Sequence, residues 1–261
     1  MSRQVVFFGG NGHAAARLAP ARAALARAGS PFALREVEYP GFEDRPRAAT
    51  FDDFLDALIP QVAEADGETL LHGTGIGGLI ALCLRARGVA VGVPLLLQAP
   101  ILWGLERRWF PRLMRLGLAP LIGPVFRRRW FQRRFMRKQF LRPPPPELQA
   151  AFFAGYDRCT AAADFFRWLT PALLRRLERA FADRPAARNQ VRVWWGRRDA
   201  VVSLDELEAT PVAMRAGWPV RVFPDWGHYP MVESPEAWVE AVGNELAAVE
   251  PVPRRSGAEA E

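Results

Sequence analysis

Apolar positions fall along this chain in short blocks, separated by glycine and proline. Val5–Phe8 is a compact apolar run ending at Gly9-Gly10, which reads as a buried strand entering a tight loop. Ala14–Ala28 is alanine-rich with helical spacing, and Gly29 stops it. Leu34–Tyr39 alternates apolar and polar positions up to Pro40-Gly41 and predicts a strand. Thr50 is placed to cap a helix over Phe51–Ala65, with Asp52 and Asp53 in its positive first turn. Thr69–His72 reads as a strand running into Gly73-Thr74-Gly75-Ile76-Gly77-Gly78, and a helix over Leu79–Arg87 follows. Val93–Leu97, Val191–Trp195 and Val220–Phe223 predict further strands. Ser234-Pro235 opens a last helix to about Val249, with serine at the cap and proline at the first helical position.

Strands therefore alternate with helices at both ends of the chain, which predicts an α/β fold with a mostly parallel sheet and helices on both faces. The middle has no convincing strand. It holds the four prolines 143–146 and two apolar helical stretches. The expected organisation is a core over 1–103 and 191–250, a helical cap inserted at 104–190, and a polar, frayed tail over 251–261.

Composition sharpens this picture. Half of the 261 residues are apolar, which excludes a disordered chain and leaves ample room for a core. Of 35 basic residues only Lys138 is lysine, a bias that reflects genome composition. The formal net charge of +7 is unevenly spread. Arg107–Arg142 holds 12 basic residues and no acidic one, leaving 23 basic and 28 acidic elsewhere. A mildly acidic body thus carries one basic segment, and the charge alone does not indicate a nucleic-acid binder. Cys83 and Cys159 make no disulfide framework, and the N-terminus lacks the pattern of a signal peptide, so a cytoplasmic setting is expected. The longest uncharged run, Gly88–Leu105, contains Pro94, Gln98 and Pro100 and reads as a strand with flanking loops, not a membrane span.

The strand–glycine turn–helix at Leu70–Arg87 is a sharp turn that lifts one residue above a sheet edge. With this turn the chain resembles the α/β-hydrolase family, whose nucleophile elbow reads glycine-x-serine-x-glycine. Here the turn is Gly73-Thr74-Gly75-Ile76-Gly77. Further segments resemble the family in the family's order: Phe8-Gly9-Gly10-Asn11-Gly12 for the oxyanion loop, Tyr39-Pro40-Gly41-Phe42 for a Pro-Gly segment, Trp195-Gly196-Arg197-Arg198-Asp199 for the acid turn, and Gly227-His228-Tyr229-Pro230 for the histidine loop. The resemblance implies an α/β-hydrolase fold with a helical cap. It also implies His228 and Asp199 as a catalytic pair, and the backbone N–H groups of Asn11 and Ile76 as oxyanion donors. Gly75 stands in the nucleophile slot, where neither serine, cysteine nor aspartate is found. A serine hydrolase needs a hydroxyl there to form its acyl-enzyme. Thr74 precedes the exposed slot, so its hydroxyl is expected to point away. His13, Thr74 and Trp103 are placed to border the pocket.

The three histidines read differently. His228 is the first choice for function, set against an inherited structural loop residue. His72, at a strand end, reads as a core histidine. His13 stands between pocket and structural roles. Their separation gives no metal signal, and the glycines at 73–78 lack the spacing and downstream acid of a dinucleotide site, so no cofactor is expected. Within 107–142, Trp109, Phe110, Trp130, Phe131, Phe135 and Phe140 interleave with arginines. This pattern fits an amphipathic cap helix with solvated arginines. It also fits docking to an anionic membrane surface, which would make the protein peripheral to a membrane; nucleic acid is the weaker alternative. Two function classes stay open. One is a hydrolase or lyase that works on a small apolar substrate through the His–Asp pair without a serine. The other is a non-catalytic binding protein that kept the pocket.

Overall fold

The computed structural model describes residues 3–63, 65, 68–102, 104, 116 and 128–248. Six strands, β1 Gln4–Phe8, β2 Ala33–Glu36, β3 Thr69–Thr74, β4 Leu95–Gln98, β5 Val191–Gly196 and β6 Val220–Phe223, form one sheet in the order β2-β1-β3-β4-β5-β6. All five pairings are parallel. The helices are α1 Ala19–Arg27, α2 Phe51–Val62, α3 Ile76–Ala86, α4 Arg129–Gln139, α5 Pro146–Asp157, α6 Ala162–Trp168, α7 Pro171–Asp183, α8 Asp205–Glu208, α9 Val212–Arg215, α10 Pro230–Glu233 and α11 Pro235–Ala247.

The sheet is covered on both faces, and β1 shows why its sequence does not alternate. Val6 and Phe8 enter the cluster with Phe54 and Leu58 of α2, Ile80 of α3, and Leu174 and Phe181 of α7. Val5 and Phe7 enter the opposite cluster with Leu25 of α1 and Trp238 and Val242 of α11. A strand buried on both sides reads as one continuous apolar run. Each such side chain contributes about 1.5–3 kcal/mol of burial. Of the stretch expected as the cap, α7 packs into the same cluster as α3, through Leu173, Leu174, Leu177 and Phe181.

Several boundaries differ from expectation for local reasons. The stretch Ala14–Ala28 splits into a 3-10 turn, Ala15–Leu18, and α1, because Pro20 brings no N–H and fits the first turn of a new helix. The Thr50 cap forms as a capping box with Asp53, but α2 ends at Val62. Strand β2 stops at Glu36, and Tyr39 turns inward to donate its hydroxyl to the Gly9 carbonyl at 3.1 Å. Ser234 precedes α11 without making a side-chain cap, since its backbone (φ −145°, ψ 58°) is set by the preceding turn α10.

The largest difference lies at the glycine run. It predicted a loop before a helix at Leu79, yet α3 starts at Ile76 and includes Gly77 and Gly78. These glycines serve close approach. A Cβ on Gly77 would lie 2.1 Å from the Phe8 carbonyl oxygen and 2.6 Å from that of Gly9. Helix α3 therefore rests with its backbone against the end of β1. Gly77→Ala is expected to cost about 3 kcal/mol or more, because both obstructing atoms are main chain. Urea unfolding of the variant checks this, and a loss within 0.5 kcal/mol, the ordinary range of a surface change, would contradict it.

Candidate active site

In this strand order the chain reverses direction of winding between β1 and β3, and the ends of those two strands lie side by side, with Phe8 opposite Gly73. Open parallel sheets place their crevice at such a point, beyond the carboxyl ends of the strands. The segment Gly9–Gly12 leaves β1 there, and the Gly75 turn leaves β3. Asp199 follows β5, and His228 follows β6.

Gly75 has φ 55° and ψ −119°, a conformation that L side chains rarely adopt. Its N–H donates to Gln98 O at 3.1 Å, and its carbonyl accepts from Ile101 N at 2.9 Å, so both sides of the turn are pinned, one to the end of β4 and one to the chain that follows it. A Cβ built on Gly75 would lie 3.7 Å from His228 Nε2 and 3.9 Å from its Cε1, and apart from Thr74, Gly75 and Ile76 themselves no other described atom comes inside 4 Å. Ile76 opens α3, so its N–H has no acceptor within the helix.

His228 and Asp199 are both buried, and Nδ1 of the imidazole lies 2.7 Å from Asp199 Oδ2. The other carboxylate oxygen accepts the N–H groups of Val201 and Val202, each at 2.8 Å. Asp199 is thus held by its own turn and orients the histidine. The two turns themselves are closely packed, since the Arg198 N–H donates to the Trp226 carbonyl at 3.1 Å.

The other candidates fall in different places. Asn11 Nδ2 donates to Ala162 O at 3.0 Å, and the Asn11 carbonyl accepts from Arg17 Nη1 at 3.2 Å. His13 is buried with Nε2 2.7 Å from Glu36 Oε2, and Arg22 holds the other oxygen at 2.5 Å. It borders a cleft of about 340 Å³ beside β2, with Arg22, Tyr39 and Phe42; neither Gly75 nor His228 lines that cleft. Thr74 is buried, and its hydroxyl has no partner among the described residues. Trp103 lies outside the described residues. His72 is buried against Trp238, Phe7 and Trp194, and burial drives its imidazole down to about 3. Cys83 is a free, buried thiol pushed up to about 12 by desolvation. Among the described residues no group of three or more His, Cys, Asp or Glu could hold a metal ion.

Some contacts around the site had no sequence signal. Arg17 is buried, lies over the Phe152 ring at 3.7 Å and donates to the Phe152 carbonyl at 2.8 Å. It therefore joins the Asn11 loop to α5. Glu233 accepts from Leu141 N at 2.5 Å; burial raises its carboxyl above the ordinary value, against the pull of the N–H groups it accepts. Phe140 stacks on Tyr229 at 5.2 Å, next to the candidate histidine. The partners in these pairs are dozens of residues apart in sequence, so no local pattern marks them.

The description of the family model that matches residues 5–241 is alpha/beta hydrolase family. Solved structures with the same fold include haloalkane dehalogenase DbeA from Bradyrhizobium elkani (TM-score 0.70, 21% identity, 95% of this chain and 91% of that one). A carboxylesterase structure from Nitrososphaera gargenis is similar as well (TM-score 0.65, 16% identity, 95% and 91%). A third is a membrane phospholipase A described as a bacterial virulence factor (TM-score 0.61, 21% identity, 95% and 79%). At these identities the likeness shows the fold. No curated protein matches the sequence.

The buried His72 generates a pH prediction. Unfolded, it takes its proton near pH 6.5; folded, only near 3. The fold therefore keeps this residue's full contribution above pH 6.5 and loses it as pH falls towards 3, by up to about 1.4 kcal/mol per pH unit. His72→Phe is expected to flatten that part of the acid slope in urea unfolding between pH 6.5 and 4. An unchanged slope would mean that the imidazole does not resist protonation.

Proposed function

The chain belongs to the alpha/beta hydrolase family, and from that footing we propose an atypical hydrolase or lyase that acts on a small, mostly apolar substrate without a serine nucleophile. His228 and Asp199 serve as its general-base pair. The observation that carries the reading is the open position over Gly75, which His228 Nε2 faces from 3.7 Å. Losing the side chain leaves room there for a water or a substrate atom.

In the hydrolytic form, Nδ1–H donates to Asp199, which leaves the Nε2 lone pair directed at that space. Nε2 takes a proton from a water as its oxygen bonds to the electrophilic carbon. The N–H groups of Asn11 and Ile76 receive the developing oxyanion. When the intermediate collapses, the leaving group takes the proton back from Nε2, so atoms and charge balance without an acyl-enzyme. In the lyase form Nε2 takes the proton from a substrate carbon, the C–H electron pair becomes a double bond as the leaving group departs from the neighbouring carbon with its own pair, and Nε2 returns the proton to that leaving group. A placed general base contributes about 10²–10⁴-fold, and one oxyanion donor about 10²–10³-fold. Tyr229, edge-on to the His228 ring at 4.7 Å and packed on Phe140 and Phe152, supports an apolar substrate.

Three outcomes are expected. The unaltered chain does not react with a fluorophosphonate probe. On a panel of short activated esters it turns over without an acyl burst, and His228→Ala lowers that rate at least 10²-fold. Gly75→Ser folds with a loss of about 1–3 kcal/mol, since the side chain has space but the backbone angle is strained for it. That variant becomes labelled by the probe, and His228→Ala removes the labelling. Labelling of the unaltered chain would overturn the missing-nucleophile reading. An inert unaltered chain beside an active Gly75→Ser variant would favour a binding protein that has kept the pocket.

A further inference from the structure

Helix α4 presents a charge pattern that the reaction does not use. Around its axis, Arg129, Arg133, Arg137, Trp130, Arg134 and Lys138 follow one another over one half of the surface. All six are exposed, and Trp130, near the middle of the arc, is 59% exposed. The opposite half faces the protein. Met136 is buried with Phe140 and Phe152, and Phe135 packs on Phe152, Phe153 and Tyr156. The apolar side of this amphipathic helix is therefore already used, and its cationic side is left over.

Arginine is abundant throughout the chain, so the number of charges does not mark this face; their grouping does. Elsewhere surface arginines either meet carboxylates, as Arg45 with Glu38, Arg158 with Asp44, Arg192 with Glu245 and Arg87 with Asp52 and Asp56, or lie exposed in ones and twos, as Arg197 and Arg198 do. Among the described residues the five cations of the α4 arc, and Arg128 before it, have no carboxylate partner, and Arg107–Arg142 contains no acidic residue. We propose that this face docks on an anionic membrane surface. The cations would meet lipid phosphates, and Trp130 would enter the interfacial layer where its ring and N–H are both accommodated. An indole at the centre of a convex cationic arc fits that layer better than a nucleic-acid groove. No helix among the described residues is long and apolar enough to cross a membrane, so the association is peripheral in this proposal.

The test sediments the full chain with vesicles of phosphatidylcholine alone and of two parts phosphatidylcholine to one part phosphatidylglycerol. Binding is expected only to the acidic vesicles, and to fall with added salt. It should drop about five-fold for each cation removed, so that Arg133→Gln with Arg137→Gln weakens it about twenty-five-fold. Trp130→Ala should weaken it at constant charge, while Arg158→Gln, an exposed arginine paired with Asp44, leaves it unchanged. All three changes lie at the surface, and an unaltered circular dichroism spectrum verifies that each variant folds. Equal binding to both vesicles, or none to either, overturns the proposal. Binding to duplex DNA with the same charge dependence, and with Trp130→Ala silent on acidic vesicles, overturns it in favour of nucleic acid.

Discussion

The close approach of α3 to the end of β1 is the constraint on which the other features of this molecule depend. At Gly77 the helix backbone comes so near the Phe8 and Gly9 carbonyls that a single methyl group would occupy their place. The same approach brings the β1 loop beside the Gly75 turn, at the point where the strand order reverses. It sets the first N–H of α3 next to that loop. Two apolar layers hold the arrangement from either face, and the alternation of Val5, Val6, Phe7 and Phe8 between them ties β1 to both.

The second framework is polar and leaves β5 and β6 at the same carboxyl ends of the strands. Asp199 is fixed by two N–H groups of its own turn and so presents one oxygen to His228. Buried carboxylates are costly unless their lone pairs find donors, and in this one the turn satisfies Oδ1 while His228 is the partner of Oδ2. His72 follows the opposite strategy. It is kept neutral among aromatic rings, and its burial excludes the proton. Two imidazoles of one chain are thereby given different environments by the strand ends that carry them.

Much of this was legible in the sequence because it is local. The apolar runs mark the strands, Thr50 and Asp53 mark a helix start, and the ordered turns carry the family resemblance. The glycine run at 73–78 was legible as a turn but not as the start of a helix. Nothing in the run itself says that β1 lies against it. His13 was undecided because Glu36, which holds it, sits on a neighbouring strand. The contacts of Arg17 with Phe152 and of Glu233 with Leu141 span 135 and 92 residues, and only the folded chain brings them together.

The bonds from the Asn11 loop to α5 and α6 have a mechanical consequence. Asn11 is tied to Ala162, the first residue of α6, Arg17 bridges Asn11 to Phe152 on α5, and the Tyr156 ring covers the space beside Gly12. Lifting α5 and α6 away from the sheet would break these ties and release the loop that they hold. The seating of α5 and α6 and the shape of the loop are therefore one degree of freedom: the loop keeps its shape only while these helices stay in place.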